Sequence, residues 1–230
     1  MNRSIRARMG LLLLPWTMVG PLTYAQTVVY DNTSTPTSGY WAPNGFWPFS
    51  YYSPYEPTGY QVNLSGTDRL VTRFDLLLSS SQPTTITSIS LGLYMPDGYD
   101  GDGFQWAPGT LLWSGTSTDV SVNGLTTLTF SVPRVAVPDT FIWVIRADSN
   151  VAGLATFNPP TVGSSDDYYW DLDGPSGQWW AQDFSCPPDY TTQSPYASFG
   201  AEIWAVPEPA TGSLLALGLL GLLRRRAHGT

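Results

Sequence analysis

The chain has 230 residues with ten arginines, no lysine, a single histidine and 18 carboxylates, for a formal charge of −8. This length fits one domain once targeting segments are set aside. The lone Cys186 excludes an intramolecular disulfide, and the acidic balance disfavours nucleic acid, whose phosphates require cationic neutralisation.

The N-terminus carries Arg3, Arg6 and Arg8, then an apolar stretch from Met9 to Leu14 that continues through Trp16 and Val19. Small residues at Thr23 and Ala25 complete the pattern of a secretory signal peptide, residues 1–25, with cleavage between Ala25 and Gln26. An uncleaved anchor is disfavoured because Pro15 and Pro21 interrupt a long helix. The body that follows, 26–205, holds four arginines (Arg69, Arg73, Arg134, Arg146) against seventeen carboxylates, a formal charge of −13. Such a surface is compatible with divalent cations and with neutral partners such as sugars. A body of about 180 residues buries ~70% of its unfolded surface, so it needs no covalent staple. Cys186 then reads as a buried thiol in preference to an inter-chain disulfide.

No long helical periodicity appears in the body. Short alternating segments bounded by Gly, Pro, Asn, Asp and Ser predict strands instead. In order these are Thr27 to Tyr30, Leu70 to Leu78, Thr85 to Tyr94, Leu111 to Ser114, Asp119 to Val122, Thr126 to Phe130, Thr140 to Arg146, Ala152 to Phe157 and Ala197 to Trp204. Asn123-Gly124 is a turn signal. In Thr140 to Arg146 both faces are apolar, Phe141, Trp143 and Ile145 on one and Ile142 and Val144 on the other, which predicts a central strand. Nine strands with turn-rich joints predict an all-β fold, an antiparallel β-sandwich, jelly-roll-like, with an up-and-down barrel as the second architecture.

Two stretches do not read as strands. Tyr40 to Tyr60 places Trp41, Phe46, Trp47, Phe49, Tyr51, Tyr52 and Tyr55 among four prolines, and Tyr168 to Tyr190 places Trp170, Trp179, Trp180 and Phe184 among Gly and Pro. Loops of such length are functional or disordered, and their aromatic content argues against disorder.

Three constellations bear on chemistry. Asp97, Asp100 and Asp102 stand in a Gly-rich loop, Asp97-Gly98-Tyr99-Asp100-Gly101-Asp102-Gly103, where carboxylates at short spacing can converge on calcium. The twelve-residue EF-hand pattern is absent, and the alternative is a solvated turn in which Asp and Gly serve turn chemistry. Asp166, Asp167, Asp171 and Asp173 lie beside Tyr168, Tyr169 and Trp170. Carboxylates beside aromatic faces suit a sugar, whose ring stacks and whose hydroxyls donate, with Trp47, Trp170, Trp179 and Trp180 as the platform. The alternative is a loop that packs its own aromatics on the sheet. Catalysis finds less support. The one histidine, His228, stands near the C-terminal end, so the body has neither histidine nor lysine, which excludes Ser-His-Asp and Cys-His chemistry there. Paired carboxylates for glycoside hydrolysis remain an alternative with no spacing to support them.

The last 25 residues have a different composition. Pro207-Glu208-Pro209 is followed by Ala210-Thr211, an uncharged Leu/Gly/Ala run from Leu214 to Leu223, and Arg224, Arg225 and Arg226. Proline pushes the residue before it towards extended geometry. The run is short against the ~20 residues of a permanent spanning helix and lacks the polar face of a core helix. Three arginines resist crossing a bilayer, which makes them a membrane stop.

This order of trio, apolar run and arginines resembles the sorting domain of PEP-CTERM proteins. The resemblance covers residues 206–230, and the chain departs from the pattern only in carrying Ala227 to Thr230 beyond the arginines. It implies a C-terminal hydrophobic sorting helix that anchors transiently in the inner membrane. It further implies an exosortase, an integral membrane protease, acting near Pro207-Glu208-Pro209, and passage to an envelope rich in exopolysaccharide. The body from Ser88 through Asp148 is also similar to β-sandwich domains of exported surface proteins, through Leu93-Tyr94, Asp97 to Gly103, Pro108 to Ser114 and Val137 to Trp143. That likeness bears on fold and not on activity. The sequence therefore predicts a non-enzymatic exported protein of the cell surface or extracellular matrix, structural or interacting. It needs no cofactor unless calcium binds the Asp97 loop. A carbohydrate-binding module is the alternative reading, and a carboxylate-based glycoside hydrolase the third.

Overall fold

The computed structural model describes residues 25–34, 46–48, 57–149, 151–157, 159–166, 168–173, 176–183 and 198–208. Residues 1–24 of the expected signal peptide, Pro209, the apolar run, Arg224 to Arg226 and Cys186 lie outside them.

Among the described residues there are fourteen strands and no helix. They are β1 (Thr27–Asp31), β2 (Phe46–Pro48), β3 (Thr58–Asn63), β4 (Leu70–Tyr94), β5 (Gly98–Tyr99), β6 (Gln105–Ala107) and β7 (Leu111–Ala136), then β8 (Thr140–Ala147), β9 (Ala152–Phe157), β10 (Ser164–Ser165), β11 (Tyr168–Asp173), β12 (Gln178–Asp183), β13 (Ser198–Phe199) and β14 (Ala201–Val206). Every ladder between them is antiparallel. The all-β antiparallel expectation holds.

The strand boundaries differ from the expected ones in one large respect. The two segments expected at Leu70–Leu78 and Thr85–Tyr94 form one strand, β4, and the three expected between Leu111 and Phe130 form one partner, β7. Asn123-Gly124 does not reverse the chain. Gly124 takes a φ of 62° and pairs with Ser80, and the register between Ser80 and Thr84 slips. Ser81, Gln82 and Pro83 thus face Asn123 alone, and a bulge of this kind bends and twists a ribbon. On one side of the bend β4 pairs with β14 and then β9; on the other it pairs with β8. One bent ribbon therefore serves both halves of the body.

The ladders form a circuit. β1 pairs with β14, β14 with β4, β4 with β8 and β8 with β3. β3 pairs with β10, and Val162, two residues before β10, bridges Asp31 of β1. The Asp31 amide donates to the Val162 carbonyl at 3.0 Å and the Thr161 amide to the Asp31 carbonyl at 2.8 Å. The bridge thus covers the edge of β1 that β14 leaves open, which removes a site for edge-to-edge association.

Inside the circuit lies the main core, with Trp143 fully buried among Tyr60, Phe74 and Phe199. β8 lies between β4 and β3, as its two apolar faces predict. Phe141, Trp143 and Ile145 enter the main core, and Ile142 and Val144 pack on the outer side against Ala107 and Trp170. β2, the start of β3, β11 and β12 fall in the aromatic stretches expected to be loops. Gly59 makes room for this packing, because a Cβ there would come within 3.1 Å of the Trp170 Cβ.

The chain after β1 is fixed by Asn32, which is buried. Its Nδ2 donates to Ser198 Oγ at 2.9 Å and to the Phe199 carbonyl at 2.6 Å, and its Oδ1 accepts from the Ala201 amide at 2.7 Å. Asn32→Ala leaves buried backbone groups of β13 and β14 unpaired, at a cost of roughly 3 kcal/mol. Urea denaturation should read that loss; a change below about 1 kcal/mol would show that the three bonds are easily replaced.

Candidate functional site

The loop between β4 and β7 folds back over the outer face of β8. Its base is closed by the Met95 amide donating to the Thr110 carbonyl at 2.8 Å and the Gly109 amide to the Met95 carbonyl at 3.0 Å. Asp97 locks this base. Its Oδ1 accepts from the Thr110 amide at 2.6 Å and its Oδ2 from the Thr110 hydroxyl at 2.8 Å. These bonds, the amide first, hold the Asp97 carboxyl below its ordinary range.

Asp100 organises the tip. Its Oδ1 accepts from the amides of Asp102, at 3.0 Å, and Phe104, at 2.7 Å. The tip then docks on β12: the Gly101 amide donates to the Trp179 carbonyl at 2.9 Å, and the Trp180 ring fills the space where a Cβ on residue 101 would stand. Only glycine admits that approach.

Asp97, Asp100 and Asp102 are thus brought into one loop but not onto one point. Asp97 and Asp100 bind backbone amides, the work of turn carboxylates. Among the described residues no group of three or more His, Cys, Asp or Glu stands close enough to hold a metal ion.

The tryptophans expected to form a sugar platform have other positions. Trp170 is only 3% exposed and its ring packs in the cluster with Ile142 and Val144, so it offers no face to a ligand. Trp179 is half-buried against the cluster of Ala107, Ile142, Val144 and Trp170, and Trp180 is half-buried with its ring against Gly101. The Trp47 backbone belongs to β2, paired with β9, and its side chain lies outside the description. In the second acidic group, Asp166 Oδ2 accepts from Gln61 Nε2 at 2.6 Å and its carbonyl accepts from the Tyr60 hydroxyl at 3.0 Å, both bonds fixing β3.

Three other aromatics are presented outward. Tyr99, Phe104 and Trp106 are 63%, 69% and 63% exposed on the β5–β6 hairpin. Gln105 Nε2 donates to the Tyr99 hydroxyl at 3.0 Å, which ties the two cross-strand partners. Trp106 is the extra residue of a bulge and takes a φ of 110°, a region that a bulky L-residue rarely enters. Beneath it Ala107 is buried. The sequence held a signal for this hairpin: three aromatics within eight residues, with Gly, Asp and Gln between them and no alternation to place them in a core.

A second feature stands at the other end of the sequence. β14 is an interior strand between β1 and β4, and it stays buried through Ala205 and Val206. Pro207 and Glu208 come directly after it and are exposed. No linker separates sheet from motif.

Residues 205–227 match the family model described as the PEP-CTERM protein-sorting motif. No curated protein matches the chain. The motif implies export to the cell envelope and handling by an exosortase.

Proposed function

We propose that the chain is an exported protein of the cell surface or extracellular matrix, of structural or interaction type and not an enzyme. Residues 1–25 act as the signal peptide, 26–205 as the working body and 206–230 as the sorting tail. The observation that carries this reading is the direct join of a buried interior strand to the sorting motif. The tail delivers a finished β body, not an unfolded spacer. The long β4–β7 ribbon bent across both halves supports a jelly-roll-like description of that body. The apolar run and Arg224 to Arg226 supply a transient hold in the membrane. A body without histidine or lysine supports interaction over catalysis. The test is surface delivery of the body with and without residues 207–230: delivery that requires them supports the reading.

The β5–β6 hairpin favours a second reading for what the body does there, carbohydrate binding. The loop is held by Asp97, Asp100 and Gly101, yet it exposes three large rings, and folding alone gains nothing from that exposure. An acidic body disfavours anionic polymers and membranes, and leaves neutral sugars, whose apolar faces stack on rings and whose hydroxyls donate to carboxylates. In affinity electrophoresis through hydroxyethylcellulose and dextran, the body is expected to be retarded by at least one. Trp106→Ala should weaken that binding about tenfold, the loss of one stacked ring worth roughly 1.4 kcal/mol. Leu125→Ala, which removes an exposed apolar side chain on β7, should leave it unchanged. No retardation by either polymer, or equal retardation of Trp106→Ala and the parent, overturns this reading.

A further inference from the structure

We propose that two copies of this chain join edge to edge through β7, antiparallel, over Leu125 to Val132, so that their β4–β7 ribbons form one continuous sheet across a two-fold axis. The pairing goes beyond the export reading and does not depend on the tail. Among the described residues β7 pairs with β4 alone. A strand with one partner turns the amide and carbonyl of every second residue outward, and that row is a template for a further strand.

Proteins blunt such edges with charge, proline and bulges. β7 has these devices only outside Leu125 to Val132. Its two charged residues, Asp119 and Arg134, both leave extended geometry, at φ of 53° and 54°. Pro133, which has no amide to donate, stands beside Arg134. At the bend, Gly124 takes a φ of 62° and the Asn123 amide donates to the Thr126 hydroxyl at 3.2 Å. From Leu125 to Val132 the strand reads Leu-Thr-Thr-Leu-Thr-Phe-Ser-Val, with no charge, glycine or proline. β4 holds this stretch without a slip from Leu125, opposite Ser79, to Ser131, opposite Arg73. Its backbone is therefore ordered before a partner arrives, which lowers the entropy cost of pairing.

Charge selects the occupant and the direction. The body carries four arginines against seventeen carboxylates, so two copies repel each other overall. β7, with one Asp and one Arg, is neutral, and copies that meet along Leu125 to Val132 meet where neither carries charge. An antiparallel arrangement separates like charges and turns Asp119 of each copy towards Arg134 of the other. A parallel one would set Asp119 against Asp119 and Arg134 against Arg134. Thr127 and Thr129, exposed on the outer face, then lie across from the same pair in the second copy, and threonine pairs of this kind stabilise neighbouring strands. Because both copies use the same edge, the assembly closes at two and does not extend into a fibre.

The test uses the full chain in a mild detergent that covers the apolar run, with reductant so that Cys186 cannot link chains. Light scattering across a dilution series should read a protein mass of two chains that falls to one on dilution. Thr127→Lys and Thr127→Glu each set like charges opposite or diagonal across the axis, and each should weaken association roughly fivefold. An equimolar mixture of the two variants sets opposite charges there and should restore the two-chain mass. Restoration requires two folded chains, so it reads pairing and not folding. A one-chain mass for the parent at every concentration overturns the inference, because the edge would then be taken by another partner or by another segment of this chain. A two-chain mass that both variants keep, assembly beyond two, or a mixture no tighter than the variants alone overturns it as well.

Discussion

Replacing Trp143 by alanine is expected to cost roughly 3–5 kcal/mol, a large part of the 5–15 kcal/mol by which a domain of this size is stable. Trp143 is fully buried at the meeting point of four strands. Its ring meets Tyr60 from β3 at a centroid distance of 5.8 Å, Phe74 from β4 at 5.7 Å and Phe199 from β13 at 6.0 Å, all edge-to-face. Alanine loses the transfer free energy of the ring and leaves a cavity bounded by three aromatics that are themselves fixed on paired strands, so the site collapses poorly. In thermal denaturation the midpoint should fall by roughly 10 °C. Trp143→Phe separates packing from polarity. The indole Nε1 has no hydrogen-bond partner among the described residues. Phenylalanine therefore gives up no bond and keeps an edge for its neighbours, and it should lose less than half of what alanine loses. A loss below about 1 kcal/mol for Trp143→Ala would mean that this aromatic cluster does not hold the two halves of the body together.

What could be read in the sequence follows from where the signal is local. Alternation over Leu70 to Leu78 and over Thr85 to Tyr94 marked true strand, and the two apolar faces of Thr140 to Arg146 marked the strand that has core on both sides. The continuity of β4 through Ser79 to Thr85 was not legible. That polar run carries turn-like residues, yet it is the bend of a ribbon, and only pairing with Asn123 and its neighbours shows that the backbone stays extended. In the same way β7 looked like three short strands because its ladder runs with β4 alone. With one partner and an open face, it needs few apolar residues and tolerates Gly115 and Gly124 within it.

The aromatic stretches show a sharper limit. Tyr60 and Trp170 are core, with Trp179 packed beside Trp170, Trp180 braces a turn, and Tyr99, Phe104 and Trp106 are outward. The same residue types in similar Pro- and Gly-rich settings thus take three fates, decided by which backbone approaches them. Gly59 and Gly101 are the local clues, since each leaves the room that Trp170 or Trp180 occupies. Within the Asp-Gly repeat from Asp97 to Gly103, the Asp97 and Asp100 carboxylates hold the loop that presents the rings. The tail was legible without the fold, since order and composition carry it. Its abutment on a buried strand was not, because Ala197 to Trp204 gave no sign that the strand continues to Val206.

Ending the chain at Val206 is expected to remove the body from the cell surface without unfolding it. β14 remains complete in such a chain, so Ala205 and Val206 keep their partners Thr27, Val71 and Leu70. Lost are Pro207 to Thr230, which hold the motif, the apolar run and the arginines. Surface labelling of cells that express either form, with the thermal midpoints of the two purified bodies as control, is the most direct measurement. The account predicts a labelled surface population for the full chain, background labelling for the shortened one, and equal midpoints. Equal labelling of both, at equal midpoints, would contradict it, because the body would then reach the surface without the tail.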